Sequence, residues 1–249
     1  AMALEDEYAH VPARVGRARD RNALELSGLY RENCRGVIAT TNSDHVNLTL
    51  AITVMLLRPE LMMLARSENQ RVCDNMASFG TDSIINPYRI FGERLSLALS
   101  SPTKYLVQDW LISVPGSELR KVVKPPKGPW IVCGVGRFGA LMAEQLEASG
   151  LPVTVVDVHP ERLPAYQRAV LGRGTEAHTL EEAGIAEAEG IIAGTGDDMD
   201  NLSIIMTARH LNPRLFFVAR QDRRQHNELF DSSQADLVAR RSLIVARNI

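Results

Sequence analysis

The sequence predicts an α/β protein, with parallel sheets covered by helices on both faces and one structural unit written nearly twice. Three observations predict it. Short apolar runs alternate with longer stretches of helical periodicity, the pattern of strands and crossover helices. A glycine turn, Gly134-Val135-Gly136-Arg137-Phe138-Gly139, joins the apolar run 130–133 to one such helical stretch. Finally, residues 37–44 return as residues 191–198, and the offset of 154 then holds without a gap for about fifty residues.

The second copy is the complete one. Trp130 to Cys133 reads as a buried strand that runs into G-x-G-x-x-G. Phe138, Leu141, Met142, Gln145 and Leu146 recur at helical spacing until Gly150 and Pro152 stop the helix. Val153 to Val156 is the next strand, and it ends in Asp157. In such a unit Gly134 permits a tight turn, Gly136 lets a diphosphate approach the backbone, and Gly139 lets helix and strand pack closely. The helix start offers unpaired N–H groups to phosphates. Asp157, 18 residues past Gly139, can accept hydrogen bonds from an adenosine ribose. Val158 follows with no Arg beside it to take a 2′-phosphate, which favours NAD(H) or an adenine nucleotide over NADP; Arg162 leaves the alternative open. Gly190 to Thr195 is a further strand, and Asp198 is expected to cap a helix to His210. Asn212-Pro213 breaks that helix, and Leu215 to Ala219 forms a strand with Arg220 at its carboxyl end. A helix near 224–230 and a short strand, Asp236 to Ala239, finish the copy.

The first copy repeats the later part of this pattern. Asn47-Leu48 matches Asn201-Leu202, Ala65-Arg66 matches Ala219-Arg220, and Asp82 matches Asp236. Upstream the offset is 156, where Gly16-Arg17 matches Gly172-Arg173. A stub near Ala13 to Val15 stands for the third strand, but no glycine loop precedes it. In the strand order 3-2-1-4-5-6 the residues from Val37 would then form an exposed apolar edge. The expectation is that residues further upstream, or another chain, complete this sheet. The whole is thus a Rossmann-like doubly wound parallel sheet in two tandem copies, the first incomplete at its amino terminus. Residues 1–115 hold the first copy with the two helices that Ser101-Pro102 divides, residues 116–129 a Lys- and Pro-rich linker, and residues 130–249 the complete copy. The two helices could cap the first copy or pack against a partner.

Composition bounds the function. With 249 residues, 45% apolar and 23% charged, the chain suits one large or two ordinary domains. A net charge of −2 gives no footprint for nucleic acid. Cys34, Cys73 and Cys133 form no C-x-x-C pair, and His159, His178, His210 and His226 lack ligand spacing, so no disulfide framework or metal site is expected. The longest apolar run, Val46 to Leu57, is too short for a membrane span. Cys133, and Met55, Met62, Met63 and Met76, read as core filler.

The glycine loop, the strand ending in Asp157, Ala193 to Thr195, Asn201-Leu202 and Ala219-Arg220 together resemble the TrkA-N domain, also called RCK or KTN, the regulator of potassium conductance. The resemblance covers residues 130–240 well and residues 13–110 as a headless copy. It implies a cytoplasmic module at the inner face of the membrane, pairing as a homo-oligomer or as a pseudo-dimer of the two copies. Such a module binds NAD(H), ATP, ADP or AMP and gates a membrane-embedded potassium channel or transporter subunit. It implies that Gly134, Gly136 and Gly139 hold phosphates, with Phe138 in the same loop, and that Asp157 and Val158 meet the ribose. It further implies that Arg137 contacts phosphate and that Thr195 lines the cleft. Arg220 could join the ligand or form a structural salt bridge. Where the family often has Gly-Asp-Ala, this chain has Gly172-Arg173-Gly174, which alters the contacts expected near adenine.

Two other readings compete. An NAD-dependent oxidoreductase would need a substrate domain and a proton-transferring group beside the nicotinamide; the chain offers a second copy instead, so no enzyme is expected. A scaffold that has lost nucleotide binding would keep the fold without the ligand.

Overall fold

A computed structural model of the protein describes residues 13–18, 20–112 and 122–249. The chain divides into two compact units, Ala1–Ile85 and Asn86–Ile249.

The first unit contains α1 (Arg21–Leu26), β1 (Gly36–Ala39), α2 (Asp44–Leu57), β2 (Met62–Arg66), α3 (Gln70–Ser78) and β3 (Ser83–Ile85). The strands form a parallel sheet in the order β1-β2-β3. Helix starts are set by polar caps: Asp20, Ser43 and Asn69 each accept a backbone N–H from the first turn of α1, α2 and α3. Leu50, Ala51 and Val54 from α2 pack with Met63, Ala65 and Met76 in one core. Two expectations change here. Met62 is exposed while Met63 is buried, because neighbours in a strand face opposite sides. Residues 13–15 form no strand, and Val15 is fully exposed; with no neighbouring strand to pair with, a lone stub has no ladder to hold it. Ile38 of β1, at the sheet edge, is 54% exposed.

The second unit opens with α4 (Pro87–Ser100) and α5 (Pro102–Leu111). Then come β4 (Trp130–Cys133), α6 (Arg137–Ala148), β5 (Val153–Asp157), β6 (Ala169–Leu171), α7 (Ala177–Glu182), β7 (Gly190–Ala193), α8 (Asp198–Leu211), β8 (Phe216–Gln221), α9 (Asn227–Ser232), β9 (Leu237–Arg240) and α10 (Arg241–Ala246). All six strands are parallel in the order β6-β5-β4-β7-β8-β9, the doubly wound arrangement. β4 sits at the centre, with Ile131 between Thr154 and Ile191. Both its faces are buried, which explains its unbroken apolar run. On one face Phe138, Met142 and Leu146 of α6 pack with Trp130 and Val132; on the other Ile131 and Cys133 meet Ile204 of α8.

The two helices grouped by sequence with residues 1–115 pack within this second unit. Tyr88 and Phe91 of α4 meet Phe138 of α6 at ring-centroid distances of 5.4 and 5.8 Å. The Ser96 hydroxyl donates to Gln145 Oε1 at 3.0 Å. The stripe Tyr88, Phe91, Leu95 and Leu99 is thereby covered by α6 and its neighbours. Of the linker, residues 113–121 lie outside the described residues; further on, the Trp130 indole donates to the Pro126 carbonyl and Glu189 accepts from the Gly128 N–H.

The repeat extends to individual hydrogen bonds. Thr41 N donates to Asn47 Oδ1 at 3.0 Å, and Asn47 Nδ2 donates to the Arg66 carbonyl at 2.8 Å. In the second unit Thr195 N donates to Asn201 Oδ1 at 2.9 Å, and Asn201 Nδ2 to the Arg220 carbonyl at 3.0 Å. Asp82 accepts from Met63 N as Asp236 accepts from Phe217 N, both at 2.7 Å.

Candidate functional site

A cleft of about 370 Å3 opens at the carboxyl ends of β4, β5, β6 and β7. This is the crevice where the strand order reverses, the place ligands take in open α/β sheets. Its walls hold Gly134, Gly136, Asp157, Val158, Thr195 and Arg220, and also His159, Arg162, Arg173 and Asp200. Arg137, Phe138 and Gly139 stand beside it at the start of α6.

The three loop glycines serve different geometric needs. Gly134 has φ +85°, and a Cβ there would lie 3.0 Å from the backbone of Thr195. A Cβ on Gly139 would lie 2.9 Å from the Gly134 carbonyl carbon and closer still to its oxygen, so helix and loop touch there. A Cβ on Gly136 would meet nothing within 4 Å. Gly136 therefore faces open space, and it caps α6 without a side-chain hydrogen bond. The first-turn N–H groups of α6 lack intrahelical acceptors and direct a partial positive charge outward. Arg137 is exposed at the first position of that turn, whereas the Phe138 ring is fully buried. Phe138 can offer a ligand only its backbone.

Asp157 ends β5 and is 5% exposed. Its Oδ2 accepts from Val135 N at 2.7 Å and its Oδ1 from His159 N at 2.9 Å. Arg162 approaches Oδ2 at 3.5 Å from the 3-10 turn Pro160–Ala165. The carboxylate thus joins the glycine loop to the segment after β5. Each carboxylate oxygen still has lone-pair capacity for a hydroxyl donor. Nearby, the Tyr166 phenol is pushed above its ordinary range, chiefly by burial and then by Glu147, Asp157 and Glu144.

On the opposite wall Thr195 lines the cleft, and its hydroxyl is held by donating to Asn201 Oδ1 at 2.8 Å and accepting from Asp197 N at 3.2 Å. Arg220 forms a bidentate pair with Asp222 at 2.6 and 3.1 Å, and its guanidinium lies 5.1 Å from the centre of the Tyr88 ring. Of the two roles open to it, this geometry supports the salt bridge, although it also lines the cleft. The cap of α8 is corrected by one residue. Asp197 accepts from Met199 N and Asp200 N, while Asp198 is buried and accepts from Asp222 N and Arg223 N. His226 Nδ1 lies 2.8 Å from Asp198 Oδ2. That Asp198–His226 contact is 28 residues apart in the chain and no spacing rule in the sequence signals it. Cys133 directly precedes the glycine loop, but burial pushes its thiol up to about 12, far from the range of a reactive thiolate. Gly174 is needed against that sulfur, since a Cβ would lie 2.7 Å from it. Among the described residues no cluster of three or more His, Cys, Asp or Glu could hold a metal. Among the same residues no helix is long and apolar enough to cross a membrane.

Comparison with known proteins follows the same outline. The chain is 28% identical over 115 residues to probable potassium channel protein 2 of Methanocaldococcus jannaschii, covering 43% of this chain and 34% of that protein. It is 34% identical over 95 residues to a Trk system potassium uptake protein TrkA homolog of Pyrococcus abyssi, covering 36% and 42%. The chain thus spans less than half the length of either relative. In fold it is similar to the GsuK RCK domain, with a TM-score of 0.72 and 21% identity over 100% of this chain and 67% of that one. It is similar also to GsuK bound to ADP, with a TM-score of 0.69 and 24% identity over 98% and 58%. The family model of the TrkA-N domain matches residues 2–87 and 130–240. With both copies matched, the chain belongs to the TrkA-N domain family.

Proposed function

We propose that residues 130–249 bind an adenosine nucleotide, NAD(H), ATP, ADP or AMP, and that the chain is a cytoplasmic regulatory module of a potassium channel or transporter. The observation that carries this reading is the pairing of an open Gly136, at the uncapped start of α6, with Asp157 at the end of β5. In this reading a phosphate sits against Gly136 and the first turn of α6, where backbone N–H groups and the helix dipole favour an anion. Arg137 adds a cation at the same end. Asp157 and Val158 take the adenosine ribose, and Thr195 closes the far wall. The residues present fit the group: a Cβ-free cradle, a buried carboxylate with two ordered hydrogen bonds, and no side chain filling the phosphate position.

The potassium channel and uptake proteins among the relatives, and a GsuK structure bound to NAD, support the choice of ligand and context. Regulation would follow from a difference in nucleotide affinity between two arrangements of paired copies, since a ligand shifts an equilibrium only by its differential binding. The reading is non-catalytic, since both matched copies belong to a family whose relatives here are potassium channel and uptake proteins. Calorimetry with NAD+, NADH, ATP, ADP and AMP tests the reading, and binding of at least one is expected. Silence from all five would favour a scaffold, and hydride transfer to or from a panel of 2-hydroxy acids and alcohols would favour an oxidoreductase.

A further inference from the structure

We infer that Arg162 lets the cleft accept an adenosine nucleotide carrying a 2′-phosphate, NADP(H) as well as NAD(H). This inference rests on the proposed nucleotide reading and names a specificity-determining residue within it. In sequence the residue after the ribose acid is Val158, which offers no charge, and the nearest arginine is five positions from the acid. The fold removes that separation. His159 N–H donates to Asp157 Oδ1, and the 3-10 turn Pro160–Ala165 then reverses the chain so that Arg162 Nη1 stands 3.5 Å from Asp157 Oδ2. A guanidinium therefore occupies the ribose end of the cleft, beside the carboxylate that would hold the 2′- and 3′-hydroxyls.

Three features make this cation available to a phosphate. First, its side chain is 42% exposed and lines the cleft, so it reaches the ligand side of the wall. Second, its contact with Asp157 is long, at 3.5 Å, and the guanidinium side of the pair is in solvent while the carboxylate is buried. A phosphate offers the planar fork two oxygens in bidentate geometry, which is shorter and stronger. Third, the neighbouring carboxylate is already engaged. Both Asp157 oxygens face backbone N–H groups, of Val135 and His159, which offset part of the charge a 2′-phosphate would otherwise meet. Of the other acids, Glu161 lies 3.3 Å from His159 Nδ1 and is exposed, and Asp200 lines the same cleft from the start of α8. Arg173, which follows β6, lines the same cleft and adds a second positive charge to it. A 2′-hydroxyl would use Asp157 and leave Arg162 where it is, while a 2′-phosphate would draw Arg162 away from Asp157. The same site then accommodates both sugars.

The test compares ligand pairs that differ only in the 2′-phosphate, NADP+ against NAD+ and adenosine 2′,5′-bisphosphate against 5′-AMP, by calorimetry at one fixed ionic strength because the contact is screened by salt. The expected result is that each 2′-phosphorylated ligand binds within tenfold of, or more tightly than, its partner. Arg162→Ala should weaken NADP+ at least tenfold while changing NAD+ less than threefold, and Arg162→Lys should restore part of the loss. Binding of NAD+ with NADP+ more than tenfold weaker, or an Arg162→Ala variant that affects both alike or neither, would overturn the inference and leave the nucleotide reading standing. Silence of the wild-type protein toward all four ligands would overturn the inference, and silence toward NADH, ATP and ADP as well would overturn the nucleotide reading with it. The wild-type comparison stands alone if either variant fails to fold.

Discussion

Asp157 holds two backbone N–H groups, from Val135 and His159, on a buried carboxylate. Alanine at this position would strand both donors, at about 1–3 kcal/mol for each one left unpaired. Asp157→Ala should therefore lower stability by roughly 2–6 kcal/mol as well as weakening adenosine nucleotides, and urea denaturation beside calorimetry would read both effects. From sequence alone the same substitution looks like a pure affinity change, because the spacing from Gly139 points to the proposed ribose role and carries no sign of the loop that Asp157 anchors. The glycines differ in the same way. Gly139→Ala would press a Cβ onto the Gly134 carbonyl, a backbone group that cannot move aside. Its expected cost is about 3 kcal/mol or more in denaturation measurements. Asp198 was legible only as a polar residue near a helix start, since its buried hydrogen bonds to Asp222, Arg223 and His226 depend on tertiary folding.

β4 shows what burial on both faces does to an element. Its four residues are all buried at the centre of the sheet, and Cys133 carries the chemical consequence. Its thiol is raised by burial from 9.0 to about 12. The native state then keeps a proton that the unfolded chain releases, so the stability present below about pH 9 declines as pH rises toward about 12. Cys133→Ala should make that alkaline decline shallower. In the same protein an aromatic disulfide reagent at pH 8 should modify half-buried Cys34 readily and leave Cys133 untouched until denaturant is added; early labelling of Cys133 would refute the buried assignment. Elements of this kind were legible because period and punctuation agreed: apolar run, glycine turn, amphipathic helix, Gly150 and Pro152 as the stop. What periodicity could not give was the partner of α4. Its stripe of Tyr88, Phe91 and Leu95 announces a buried face, but only the fold reveals that Phe138 and Met142 of α6 cover it.

At the scale of the whole molecule, the offset of 154 residues is a duplication of physical devices as well as letters. Asn47 and Asn201 tie corresponding strand ends, and Asp82 and Asp236 hold corresponding strand starts. The glycine loop and Asp157 have no counterpart among the described residues of the first unit, which ends its sheet at β1. Of the residues named for the site, Gly134, Gly136, Asp157, Val158, Thr195 and Arg220 line one cleft; what each does there is the proposal that binding must test. Gly136 separates ligand from fold most cleanly, because a methyl group there meets no protein atom within 4 Å but would enter the proposed phosphate position. The decisive measurement is calorimetry of wild-type and Gly136→Ala proteins with NAD+ and ADP, beside thermal unfolding of both. The expected result is nucleotide binding by the wild type, at least a tenfold loss in the variant, and stabilities within about 0.5 kcal/mol of each other. Equal affinities in two equally stable proteins would contradict a phosphate at Gly136.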